Sequence, residues 1–458
     1  MRESLNIQMH TCGNATLIIT KDNKPVIATD PWLHSHTAYF GSWATTHEIS
    51  KFHMELLQNC PFYWISHFHP DHLNLRSLLK LKAREKTILI SYQYSNRVAQ
   101  ELRNAGMKVI IMPPRKYINI QDEIDIATFP ILDTVDSALL IKCRGNLIIN
   151  LNDTFCDPSI SFLKKEISKS RNSLLLKLAG YGDADMINIF DYENNFIKPL
   201  ASSKPAPGEI LTLQAKKINC THAMHFSSFH KYVRADSLWA NKYITPEEDL
   251  ERGWDKRIGY FKQFSSLSIT SEGFKKIESI YPSKNDIKIS SPEKYGDKWD
   301  QEPSLKDINL IKKYLNQINL VGKKSFNIKV GNCIIRPEIE NSLTNFVIHA
   351  PRNSVVRAIR SNIFDDLLIG NFAKLILPKR KSINYKKTLR VASKFIDNLG
   401  IKDANETKKF LWIYRNSYDN KYVAIQSIFK NKARDLITTK LNGRANLLGK
   451  LKLIYQSF

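Results

Sequence analysis

The residues most able to do chemistry in this 458-residue chain lie in one short run, Ser66-His67-Phe68-His69-Pro70-Asp71-His72. Four imidazole or carboxylate side chains within six positions put several lone pairs on a single tight turn. Neutral imidazole and carboxylate suit borderline cations such as zinc, iron or manganese. His67 and His69, at alternate positions, can share one ion, while Asp71 and His72 can face a second where the chain turns. A metal held this way lowers the pKa of bound water from about 15.7 to about 7, supplying hydroxide at neutral pH. The chemistry expected is hydrolysis of an ester, amide or phosphodiester, with Asp71 both a ligand and the acceptor of the water's proton.

Such a turn needs a rigid platform, and the flanking sequence supplies one. Phe62-Tyr63-Trp64-Ile65-Ser66 reads as a short apolar strand that runs straight into the histidines, and Leu75–Glu85 as the helix that follows them. Thr87–Ser91 and Lys108–Met112 are further strands, separated by the helical stretch Asn96–Ala105, which makes βαβ units and an α/β fold. Leu17-Ile18-Ile19 and Pro25–Ala28 flank a Lys21-Asp22-Asn23-Lys24 turn, a hairpin that ends at Asp30. A second hairpin, Ser137–Cys143 and Asn146–Leu151, turns on Arg144-Gly145 and delivers Asp153.

An H-x-H-x-D-H run behind an apolar strand resembles the metallo-β-lactamase superfamily. That resemblance implies an αββα sandwich over residues 1–245, with a site for one or two divalent ions at the strand ends. It makes Asp30 the acidic residue that braces the metal turn through hydrogen bonds, and Asp153 the carboxylate that bridges two ions. The family's histidine between these motifs is missing, since no His lies between His72 and Asp153. Asp133 and Asp136 are the local candidates, and a carboxylate there favours iron or manganese over zinc. The last histidine should follow a late strand, which makes His230 the favoured ligand, His225 the next and His222 the third.

A narrower resemblance rests on Asp30-Pro31-Trp32-Leu33, Gly41-Ser42-Trp43, Ser66–Asn74, Asn150–Thr154, Ser228-Phe229-His230 and Phe364–Phe372. These segments are similar to the CMP-N-acetylneuraminate hydroxylase group and its bacterial relatives, which implies an iron-dependent hydroxylase of a sugar or nucleotide-sugar as the alternative activity. The animal enzyme's Rieske domain needs Cys-x-His and Cys-x-x-His. This chain has Cys220-Thr221-His222 but no Cys-x-x-His, so no Rieske cluster is expected and electrons would come from a separate reductase.

Length and charge bound the rest. The chain is too long for one ordinary domain, and its net charge of +24 is unevenly placed. Residues 1–250 hold 28 basic and 25 acidic side chains, whereas residues 251–458 hold 40 and 19. We expect a connection over 246–303, with a helix starting at Thr245-Pro246-Glu247-Glu248, and a basic α+β C-terminal domain over 304–458. A small anionic substrate fits such charge, as do nucleic acid or a membrane surface, and a nuclease is the third functional reading. A plain lysine-rich surface accounts for it equally well. Residues 351–458 carry 23 Lys/Arg against 7 Asp/Glu, with Tyr385, Trp412 and Tyr414 interspersed. Asp365-Asp366 reads as a helix cap, Gly180-Tyr181-Gly182 as a turn, and Trp32 and Trp43 as core or cleft wall. Six scattered cysteines, no signal-like N-terminus and no long uncharged apolar run point to a reducing cytoplasm.

Overall fold

The computed structural model describes residues 6–131, 136–178, 187–199, 206–277, 281–338, 346–379 and 385–416. Two tight turns set the strand registers. Asp22 and Asn23 adopt φ 51° and 61°, and Arg144 and Gly145 adopt φ 50° and 75°, the left-handed pairs that close two-residue hairpins. The first turn joins Leu17–Lys21 to Lys24–Thr29, the second Asp136–Cys143 to Asn146–Asn152.

Around these hairpins grow two large sheets. The eight-stranded one runs, in spatial order, Gly273–Ile277, Ser266–Thr270, Ile7–Thr11, Leu17–Lys21, Lys24–Thr29, Phe62–Ile65, Thr87–Ser91 and Lys108–Met112. Its last four strands are parallel, joined by helices Lys51–Asn59, Leu75–Lys80 and Arg97–Asn104. The seven-stranded sheet runs Gly259–Phe261, His222–Phe226, Asn172–Leu178, Asn146–Asn152, Asp136–Cys143, Ile124–Ile131 and Ile118–Gln121.

Period-two alternation decides which side chains fill which layer. Trp64, Leu89, Leu139, Ile148, Leu174, Leu176 and Met224 interleave between the sheets. Their neighbours Tyr63, Ile65, Ile88 and Ile90 pack outward onto the first sheet's helices. Leu175, Ala223 and Ile149 pack outward with Leu163, Leu211 and Ala215 of helices Ile160–Ile167 and Pro207–Ile218. The result is the αββα sandwich.

The sandwich does not stop near residue 245. Gly259–Phe261, Ser266–Thr270 and Gly273–Ile277, expected in a connection, complete its sheet edges, with Ile7 paired to Ile269. In exchange, Asn188–Phe190 and Phe196–Ile197 leave it and join Lys374–Ile376, Val347–His349, Asn327–Val330 and Cys333–Ile335 in a six-stranded sheet. Helices Leu305–Gly322, Arg352–Arg360, Phe364–Ile369 and Tyr385–Arg390 share one core with that sheet. The helix start at Thr245 comes to a single 3-10 turn, Glu247–Asp249, because no apolar stripe continues it. Tyr181, Asp183 and the rest of the 179–186 stretch lie outside the described residues, as do Arg380 and Lys381. Among the described residues no helix is long and apolar enough to cross a membrane.

Candidate metal centre

Three loops leave the strand ends side by side. Asp30 follows Lys24–Thr29, the histidine turn follows Phe62–Ile65, and Asp153 follows Asn146–Asn152. Two of the exits curl through left-handed residues, Asp30 at φ 38° and Asn152 at φ 52°, the second beside a bulge between Asn150 and Asn152. Non-glycine residues rarely take this conformation, and it concentrates at functional sites.

Asp30 is fully buried and satisfied by its neighbours. The Ser66 amide donates to Oδ1 at 2.8 Å, while the Ser66 hydroxyl (2.6 Å) and the Asn152 amide (2.6 Å) donate to Oδ2. His72 Nδ1 lies 2.9 Å from the same Oδ2, which fixes the proton on Nδ1 and turns the lone pair of Nε2 the other way. Buried Nε2 sits 3.3 Å from Asp71 Oδ2 and 3.5 Å from Asp153 Oδ2 and is hydrogen-bonded to neither. Ser66 Oγ, its proton given to Asp30, can only accept from His67 Nδ1 at 2.9 Å, so the Nε2 of His67 is left unprotonated. That atom lies 2.8 Å from His69 Nδ1 and 3.7 Å from Asp136 Oδ1.

His67, His72 and Asp153 bring one ligand atom each within 4.8 Å of one another. Burial, then the neighbouring imidazoles of His72 and His69, hold His67 well below the ordinary histidine range. Burial also opposes charge on His72, but Asp71 and Asp153 outweigh it and raise that imidazole. The same contacts act in reverse on the carboxylates. Against burial, His72 pulls Asp71 down to about 2 and holds Asp153 lower still. Anionic carboxylates facing a neutral imidazole, with the unpartnered His72 Nε2 between them, are a donor set that fits a divalent cation.

Other expected residues fall elsewhere. His225 follows the strand alternation: Met224 and Phe226 face the sheet interface, so His225 faces the other side, with Nε2 2.9 Å from the Leu250 carbonyl. His230 pairs with Thr45 in a short ladder and stacks on Trp43, ring centroids 3.3 Å apart. His222 stacks on Phe261. None of the three joins His67, His72 and Asp153. Asp133 lies outside the described residues.

The sequence motifs do not point to Tyr39, Asn14, Ser227 or Lys177. Tyr39 donates to Asp71 Oδ1 at 2.6 Å and Asn14 donates to Oδ2 at 2.9 Å, so both oxygens are held in place. Tyr39, Phe40 and Gly41 form a run at φ 48°, 57° and 78°, a strained turn that aims the phenol inward. Ser227 donates to Asp153 Oδ1 at 2.9 Å. Lys177 is buried on the strand beside Asn152, and burial lowers its ammonium to about 8 although Asp153 works to keep it charged. Trp43 is buried against Tyr39 and His230, and Trp32 shares that cluster. Asp365 Oδ2 lies 3.4 Å from His69 Nε2, and burial pushes the neighbouring Asp366 up to about 7.

Fold and site together are similar to those of the metallo-β-lactamase superfamily. No family model matches the chain. It is similar to the cytidine monophosphate-N-acetylneuraminic acid hydroxylase of Danio rerio, 28% identical over 130 residues that make up 27% of this chain and 22% of that protein. The hydroxylase of the same name from Asterias rubens is 29% identical over 134 residues, 28% of this chain and 20% of that one. The matched stretch therefore spans about a fifth of the length of these relatives. Among solved structures, the chain is similar to the metallo-beta-lactamase fold protein YhfI from Bacillus subtilis, with 10% identity and a TM-score of 0.36 over 57% of this chain and 99% of that one.

Proposed function

We propose that this chain is a metal-dependent hydrolase acting on an ester, amide or phosphodiester in a small, anionic substrate. The observation that carries the reading is the convergence of His67, His72 and Asp153 within 4.8 Å, with His72 Nε2 left without a hydrogen-bond partner among the described residues. A divalent ion bound there supplies Lewis acidity and a water acidified to about pKa 7. Everything else is the work of side chains. Asp30 sets the tautomer of His72, and Ser66 sets that of His67. Asp71, held by Tyr39 and Asn14, is the carboxylate placed to accept a proton. Lys177 sets a buried cation beside the carboxylate pair, where an anionic group on substrate would be drawn.

A second reading, iron-dependent hydroxylation with electrons from a separate reductase, is favoured by two observations. The matched relatives are hydroxylases, and Asp136 stands 3.7 Å from His67 where a histidine is usual in the superfamily. Elemental analysis of the purified chain separates the two. Zinc, with cleavage of chromogenic esters, anilides or phosphodiesters that chelator abolishes and metal restores, is the expected result. Iron with oxygen uptake from an added reductant, and no cleavage, would replace it by the hydroxylase. A chain without metal that binds none on titration would end both.

A further inference from the structure

Asp365 and Asp366 open the helix Phe364–Ile369, where acidic residues commonly cap. Here the capping is done by another residue: Asp397 accepts from the Phe364 amide at 2.8 Å, and Ile363, at the cap position, makes no side-chain bond. Asp365 instead reaches across to the sandwich, with Oδ2 3.4 Å from His69 Nε2. Asp366 is buried, 6% exposed, and its Oδ1 has no hydrogen-bond partner among the described residues. Its charge acts on His69, Asp71 and Tyr39. An unpaired buried carboxylate costs folding free energy unless something cationic compensates it.

The helix cannot drift from this position. Ser42 donates to the Gly370 carbonyl at 2.6 Å, and the Trp239 indole donates to the Asn371 carbonyl at 2.8 Å. A Cβ on Gly370 would lie 3.1 Å from the Tyr39 carbonyl and 2.7 Å from the Phe372 ring, so glycine permits the close approach.

Resting on the metal reading above, we propose that Asp365 and Asp366 complete the metal centre on its His67–His69 side from the other lobe of the molecule. Asp365 accepts from His69 Nε2–H, which leaves Nδ1, now donating to His67 Nε2 2.8 Å away, as the nitrogen that would bind metal once its proton is lost. Asp366 offers its unpartnered oxygen as a further carboxylate donor on that side. Asp365 is thus a positioning residue, Asp366 a ligand.

Cobalt(II) titration of the full chain, followed by visible absorption, tests this, with melting of the metal-free protein measured alongside. D365N and D366N should each weaken cobalt binding by about 10–100-fold and change the ligand-field spectrum. Metal-free D366N should melt at or above the wild-type temperature, because a buried unpaired charge is gone; a purely structural aspartate would make it melt lower. D365E, which keeps the carboxylate, should recover part of the affinity and covers the case in which D365N does not fold. Wild-type affinity and spectrum in both Asn variants, with binding lost in H67A, would overturn the inference alone. No cobalt binding by the wild type would overturn it together with the metal reading.

Discussion

Two buried charge clusters in this molecule are built on opposite plans. Arg234, fully buried, donates to Asp297 at 2.8 Å, to both oxygens of Asp236 at 2.9 and 3.3 Å, and to the Phe40 carbonyl at 3.2 Å. Asp297 takes the Ser354 amide at 2.9 Å and its hydroxyl at 2.6 Å, and the Phe372 ring covers the guanidinium at 3.9 Å. That cluster closes on itself. The His67–His72–Asp153 cluster has equally good outer partners but leaves His72 Nε2 with none among the described residues. Satisfied burial marks a clamp, whereas burial that stops short of satisfaction at its centre marks a place for a guest.

Breaking the clamp should have the largest effect on stability. Asp297→Ala removes the fully buried one of the two carboxylates that neutralise Arg234 and leaves Ser354 without its acceptor, and a loss of about 3–5 kcal/mol is expected in denaturant unfolding, with metal content per folded chain unchanged. A loss under about 1 kcal/mol would erase the distinction between the clusters. Filling the other cluster should work in the opposite direction. Zinc at a hundred times its Kd should raise stability by about 2.7 kcal/mol, chelator should remove the gain, and Asp153→Ala should abolish it. Tyr39→Phe deletes a bond to a charged acceptor, and about 1.5–3 kcal/mol should go from the metal-free protein by thermal melting.

The smallest effect sharpens the contrast from a third place, where buried histidines are left neutral. Burial lowers both His10 and His53 to about 4. With folded values below the unfolded 6.5, the unfolded chain binds more protons between pH 6.5 and 4, so their contribution is full above 6.5 and falls as the pH drops. Each should cost about 1 kcal/mol between pH 6.5 and 5.5, and His53→Gln should flatten that part of the metal-free stability profile. A profile as steep in the variant as in the wild type would show that His53 is not among the groups responsible.

The sequence made the sandwich half of this arrangement legible. The histidine turn, Asp30 and Asp153 were readable because each follows a strand whose apolar run and turn chemistry are local. Asp136 could be named as one of two candidates from its place in the order of motifs, and it lies 3.7 Å from His67. His225 was misplaced although the warning was present: apolar Met224 and Phe226 flank it, so alternation already sends it away from the sheet interface. Asp365 was hidden for a different reason. It meets His69 from 296 positions away, through packing of a helix whose own sequence says only that it is amphipathic and begins with acids. The exchange of Asn188–Ile197 for Ser266–Ile277 between sheets was hidden likewise, since a strand's composition does not name its partner.

That exchange has a practical consequence for anyone dissecting the protein. Chain severed at residue 245 would lose the strand that covers Ile7–Thr11, laying open a row of unsatisfied amides and carbonyls along the sheet's flank. The remainder would in turn lack Asn188–Phe190, the parallel neighbour of Lys374–Ile376. Each half would then carry a sticky border made for the other. Mixed in the same tube, the two pieces are better suited to reassemble than to live apart.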